Sequence, residues 1–372
     1  MRKTKLTWIG STASAVIARG EPSLLLAAVA ALSVACGGAS LQPATAPGVA
    51  TQPAPTGSLE PTASAASSAA TSAPPPVSVT PPAPAKPPID ATRVAALTGG
   101  KPETIEDVVK VSFPREDVKV EVDGWAKMPP FMGLTSWAAF APGEQPGVEA
   151  MVMGDLVLFE DEVSAVMSAA LDSGLEVTAL HNHFFFDKPH VYFMHIGGEG
   201  SLDQLGRGVR AALEAEHAVR GRTSQPRSAF GRPPPAGKSK IDGAKLDTVL
   251  GIKGLSKDGM YKATMGRKTQ AECGCTIGKA MGVNTWAAFA GTDGDAVVDG
   301  DFAVSEDELA PVLKALRAGA IDVVAIHSHM TKESPRILFL HYWGRGKATD
   351  LAAVVKRALD LTAWDGKAQV TT

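Results

Sequence analysis

Residues 89–220 and 241–368 of this chain spell one pattern twice. Ile89-Asp90 returns as Ile241-Asp242. Val109-Lys110-Val111 with Arg115 returns as Tyr261-Lys262-Ala263 with Arg267, and Trp137-Ala-Ala-Phe140 as Trp286-Ala-Ala-Phe289. Gly154-Asp155 returns as Gly300-Asp301, Glu162 as Glu308, and His181-Asn-His183 as His327-Ser-His329. Pro189 and His195 return as Pro335 and His341. The offset drifts only from 152 to 146, so the length changes fall in loops. A unit of roughly 130 residues is too long for a solenoid repeat and has the size of a domain. Two domain-sized halves are therefore expected, joined by a solvated linker over 221–240 that carries several Pro, Arg and Lys.

Each half reads as strands followed by a helix, a strand pair and a second helix. Ser305 with Glu308 three residues later is a capping box, and Leu309, Val312, Leu313 and Leu316 form one apolar helix face. Val163, Val166, Met167 and Ala170 do the same in the first half. The expected fold class is α+β: two duplicated domains, each a mainly antiparallel sheet with helices packed on one side.

Ahead of the repeats, Arg2, Lys3, Lys5 and Arg19 precede an apolar run from Leu24 to Ala35. The run is too short to span a bilayer comfortably. It closes on Leu32-Ser33-Val34-Ala35-Cys36, which looks like a bacterial lipobox; an ordinary secretory signal with an incidental Cys is the alternative. Residues 1–35 are read as a lipoprotein signal peptide and Cys36 as the lipidation site. Residues 36–88, almost all Ala, Pro, Ser, Thr, Gly and Val, are read as a disordered tether. The expected location is outside the cytoplasm, anchored by lipid to the bacterial cell envelope, with the membrane as partner. A net charge of −3 gives no electrostatic case for nucleic acid, and three Cys make no disulfide scaffold. The chain carries no P-loop or dinucleotide fingerprint, so no nucleotide cofactor is expected.

Six of the eight His are the repeated ones: His181, His183 and His195, then His327, His329 and His341. His-x-His on a strand places both imidazoles on one face, and a third His on the neighbouring strand completes a triangle. Register decides the outcome. If His181 lies opposite His195 the hairpin is centred on Lys188, and the pair His327 and His341 is centred on Ser334; each centre precedes a proline. An odd loop then keeps all three imidazoles on one face, whereas a two-residue loop sends the third across the sheet. Three His with an open fourth position suit Zn²⁺ or another divalent metal. A polar ligand pocket and a hydrogen-bonded core network use the same residues and stand as alternatives.

Around the triads, Glu162 and Glu308 are candidates for a general base or a support to the ligands, against the plainer role of first-turn helix carboxylates. Arg115, Arg267 and Arg336 are candidates for holding an anion, against solvated or ion-paired roles. Cys273-Gly-Cys275 has no counterpart in the first half and is left outside the site.

Lys110 to Arg115, Trp137-Ala-Ala-Phe140, His181-Asn-His183, Val191-Tyr-Phe-Met-His195 and their second-half counterparts carry a further signal. The clearest stretch is Ala325-Ile-His-Ser-His329 through Pro335-Arg-Ile-Leu-Phe-Leu-His341-Tyr-Trp-Gly344. Over about 90–368 the chain resembles the LppY/LpqO family of bacterial lipoproteins, a family of unknown function. The resemblance implies two copies of one unit and export with lipid anchoring, and it supplies no activity. The expectation is an exported, lipid-anchored, metal-binding protein, with metal-assisted hydrolysis of an envelope substrate as the enzyme class. The alternative is a non-catalytic envelope module that binds a sugar, peptide or anion between the repeats.

Overall fold

The structure, a computed structural model, describes residues 87–235 and 237–366. The lipobox with Cys36, and all but the last two residues of the expected tether, lie outside that range. Among the described residues no helix is long and apolar enough to cross a membrane.

The first half supplies six strands of the main sheet: β1 (Lys101–Ile105), β2 (Val108–Pro114), β3 (Thr135–Pro142), β4 (Ala150–Phe159), β5 (Glu176–His181) and β6 (Val191–Gly200). The second half supplies β7 (Leu255–Lys257), β8 (Met260–Gly266), β9 (Asn284–Gly291), β10 (Ala296–Val304), β11 (Asp322–His327) and β12 (Leu338–Gly346). All pairings between them are antiparallel, in the order β1-β2-β3-β4-β6-β5-β11-β12-β10-β9-β8-β7. The two halves, expected as separate domains, thus share one sheet. Leu180 of β5 lies opposite Ile326 of β11 at the join. Each half alone would leave this strand edge with unpaired N–H and C=O groups, and pairing the two edges satisfies both.

Helices α1 (Ala91–Thr98), α2 (Glu160–Asp172) and α3 (Leu202–Arg222) belong to the first half, and α4 (Gly243–Leu250), α5 (Glu306–Ala318) and α6 (Ala348–Leu359) to the second. The faces expected from periodicity are buried: Val163, Val166, Met167 and Ala170 on α2, and Leu309, Val312, Leu313 and Leu316 on α5. The α5 capping box is formed, with the Ser305 N–H donating to Glu308 Oε2 at 2.9 Å. The helices pack over one face of the sheet, and the core they close runs unbroken through both halves, from Val94 to Leu359.

The opposite face is only partly covered. In the first half a small three-stranded sheet, with Glu121–Val122 between Trp125–Ala126 and Asp187–Lys188, caps a second core of Val120, Leu134, Val157, Phe159, Val191 and Phe193. The rest of this face carries the polar rows described next. The linker is not purely solvated: the Arg345 guanidinium donates to the Pro233 carbonyl, and the Lys240 N–H donates to the Gly291 carbonyl at 2.7 Å.

Candidate functional site

Alternation along the strands sets one row of side chains on the open face of each half. In the first, Ser112, Trp137, Asp155 and His195 are direct neighbours across β2, β3, β4 and β6. In the second, Thr264, Trp286, Asp301 and His341 repeat the row across β8, β9, β10 and β12. Lys110 Nζ stands 4.5 Å from the Trp137 ring centroid and Lys262 Nζ 3.9 Å from that of Trp286, a cation–π contact in each copy.

The triads close onto this row. His181 lies opposite Phe193 rather than His195, and His327 opposite Phe339 rather than His341. Both hairpins are therefore centred one residue earlier than expected, on Asp187 and Glu333. A bulge in β5 between Val177 and Ala179, matched in β11 between Val323 and Ala325, accompanies this register. The parity that matters is kept, so His181 sits diagonally to His195 on the same face. Their ring centroids are 5.1 Å apart, and those of His327 and His341 4.9 Å.

The second His of each motif lies just past the strand end, in a loop, and is positioned by stacking instead of by pleat. His183 lies on Phe193 with centroids 3.4 Å apart, and His329 on Phe339 with 3.5 Å. That leaves His183 5.2 Å from His181 and His329 4.9 Å from His327, centroid to centroid. Nε2 of His329 is 3.0 Å from Nε2 of His327. Nδ1 of His341 is 3.3 Å from the Gly300 carbonyl, and because that oxygen only accepts, the contact places a proton on Nδ1.

Asp155 and Asp301 stand beside the imidazoles, across the strand pair from His195 and His341. Both are buried, at 9% and 3% exposure, and in each Oδ1 has no hydrogen-bond partner among the described residues. Asp301 Oδ2 is 3.8 Å from His329 Nε2. The repeated Gly-Asp pair was visible, but nothing local marks an Asp on a strand as facing three imidazoles. Among the described residues no group of three or more His, Cys, Asp or Glu side chains is set in a geometry that could hold a metal ion.

Burial, with the neighbouring imidazoles His181 and His195, holds His183 below the usual histidine range, although Asp155 pulls the other way. His327 is lowered by burial and by His341 and His329, and His329 by burial and His341. These three rings favour the neutral form. Asp301 is pushed up to about 7 by burial, with His341 opposing.

The remaining sequence candidates lie elsewhere. Arg115 and Glu162, candidates for an anion and a triad against plainer ion-paired and helix-capping roles, take the plainer ones and face each other: Nη1 and Nη2 of the guanidinium donate to the two carboxylate oxygens at 2.9 and 3.0 Å. Glu162 also accepts the Phe159 N–H at 2.8 Å and thereby caps α2. Arg267 and Glu308 form the matching pair in the second half. These carboxylates do the work of first-turn helix residues, and both guanidinia are committed to them. Arg336 is exposed, with Nε 3.9 Å from Glu306. Cys273 and Cys275 are disulfide-bonded in an exposed loop.

Around Arg115 the charges are crowded. Glu216 lies 3.3 Å from its guanidinium yet is pushed up to about 7, because burial and the carboxylates of Glu162 and Asp117 outweigh Arg115 and Arg220. The folded protein therefore binds this proton more tightly than the unfolded chain does. Stability should fall as pH rises from about 4.5, the ordinary glutamate value, to about 7. Thermal melts of Glu216→Gln against the parent should show the variant gaining across that window and a flat difference above it. A difference independent of pH would show that the carboxyl is ordinary.

Residues 92–215 and 244–361 each match the family described as Domain of Unknown Function (DUF1259). No curated protein matches the chain, and no solved structure does.

Proposed function

We propose, for a chain that belongs to the Domain of Unknown Function (DUF1259) family, that each repeat holds one divalent metal ion. The donors are His181, His183 and His195 in the first repeat and His327, His329 and His341 in the second, with Asp155 and Asp301 as the fourth. One observation carries the reading. In both copies three imidazoles converge beside a buried carboxylate oxygen that has no protein partner. A buried, unpartnered carboxylate oxygen is unfavourable unless something fills its place. Three imidazoles and a carboxylate suit Zn²⁺ and its neighbours, with donor nitrogens about 2.0–2.1 Å from the ion. Such an ion supplies Lewis acidity, which fits metal-assisted hydrolysis of an envelope substrate as the enzyme class. Elemental analysis of the purified protein should find two equivalents of one divalent metal per chain; protein that stays metal-free after incubation with Zn²⁺, Mn²⁺ and Ni²⁺ would end this reading.

A non-catalytic envelope module is the second reading. A cleft of about 770 Å³ between the halves, lined by Trp286, Trp343 and Tyr192, favours it.

We propose further that the chain is akin to the LppY/LpqO lipoproteins and is exported and lipid-anchored through Cys36. Cys36→Ala should abolish acylation and move the protein out of the membrane fraction. Recovery of unacylated parent protein in the soluble exported fraction would refute the anchor.

A further inference from the structure

The join between the halves leaves two clefts related by the duplication. The larger, about 770 Å³, is bounded by the start of α2, by Tyr192 and by the start of β11. The smaller, about 540 Å³, is bounded by the matching start of α5, by Leu338 and by the start of β5. The larger one runs on to His341 of the second triad. The residues lining the smaller one include no histidine.

The difference has a specific origin. Trp343 of β12 lies directly between Asp299 of β10 and Asp322 of β11, and all three line the larger cleft. Neighbouring strands are about 4.8 Å apart, so two carboxylates flank one indole on the scale of a single pyranose ring. At the corresponding positions the first half has Gly197, Met153 and Glu176, so the platform is absent there. Phe230 and Arg227 of the linker add a wall that has no counterpart at the smaller cleft.

We infer that the larger cleft binds a neutral or amino-bearing oligosaccharide and presents it to the second triad alone. An indole accepts the C–H face of a pyranose ring, and carboxylates at its two edges accept hydroxyl or ammonium hydrogens. Glu160, Asp161, Asp299 and Asp322 line the cleft with Arg227; Asp161 is also paired with Arg220 at 2.5 Å and Asp322 with Arg317 at 3.0 Å, so Glu160 and Asp299 set the negative potential of the cleft. That balance repels phosphate, uronate and other anions. The volume lies in the range of small-ligand pockets, about 300–1,000 Å³. The assignment of the second triad as the working one rests on the metal reading; the binding cleft is testable without it.

The test is calorimetric titration of the purified protein with chitotetraose, its de-N-acetylated form and tetragalacturonate. One of the first two should bind, and tetragalacturonate at least tenfold more weakly. Trp343→Gly and Asp299→Asn should each weaken binding at least fivefold, Trp343→Phe should retain most of it, and Met153→Ala should leave it unchanged. His327→Ala with His329→Ala should lose metal and keep the saccharide, which separates the two claims. Saccharide binding by protein that never holds metal would refute the metal reading alone. Metal without saccharide binding would refute the cleft alone. So would tetragalacturonate binding as tightly as the others, or binding indifferent to Trp343→Gly and Asp299→Asn. Tight capture of an uncharged tetrapeptide instead would identify the cleft as a peptide groove.

Discussion

His327→Ala together with His329→Ala should lower the metal content from two equivalents per chain to one. Two of the three imidazoles of the second site go, and the lone His341 with Asp301 leaves too few donors for a tight divalent site. The first site should be spared, since its own three imidazoles and Asp155 are untouched. The mirror change, His181→Ala with His183→Ala, should do the reverse. Asp301→Asn keeps the shape and removes the charge, and should weaken the second site in chelator competition by at least the roughly 10–100-fold that loss of an outer partner of a ligand costs. Metal content unchanged by either double substitution would return the triads to a hydrogen-bonded network or a polar pocket.

Glu162→Ala should produce the largest loss of stability. The residue is fully buried, and its carboxylate serves Arg115 twice, the α2 cap, and Arg220 Nε at 2.6 Å. Removing it takes one carboxylate from two guanidinia whose side chains are 5% and 8% exposed, leaving Arg115 to Asp117 and Glu216 and Arg220 to Asp161. Breaking a buried pair from one side costs about 3–5 kcal/mol, and the lost cap about 1 more. Glu308→Ala should cost less, on the order of 2 kcal/mol, because that carboxylate is more exposed and serves one Arg, so less charge is left desolvated. Urea unfolding of both variants measures this. Equal losses, or a larger one for Glu308→Ala, would contradict the burial argument.

Local chemistry made much of this protein legible from its residues. The duplication shows in the repeated residues, and the capped helices with their buried faces and the shared face of the first and third His of each triad follow from periods of 3.6 and 2 and from hairpin parity. Those are properties of neighbours in sequence. The tertiary structure decided what depends on distant partners. β5 and β11 pair through backbone groups that every residue carries, so no side chain announced that the two halves would share one sheet. Arg115 meets Glu162 across 47 residues, and Asp155 meets His195 across β4 and β6, which no hairpin loop joins. Trp343 acquires its setting only from the sheet, which brings Asp299 and Asp322 to its two sides. Its position at the open join, where Gly197 stands in the other half, distinguishes the two repeats.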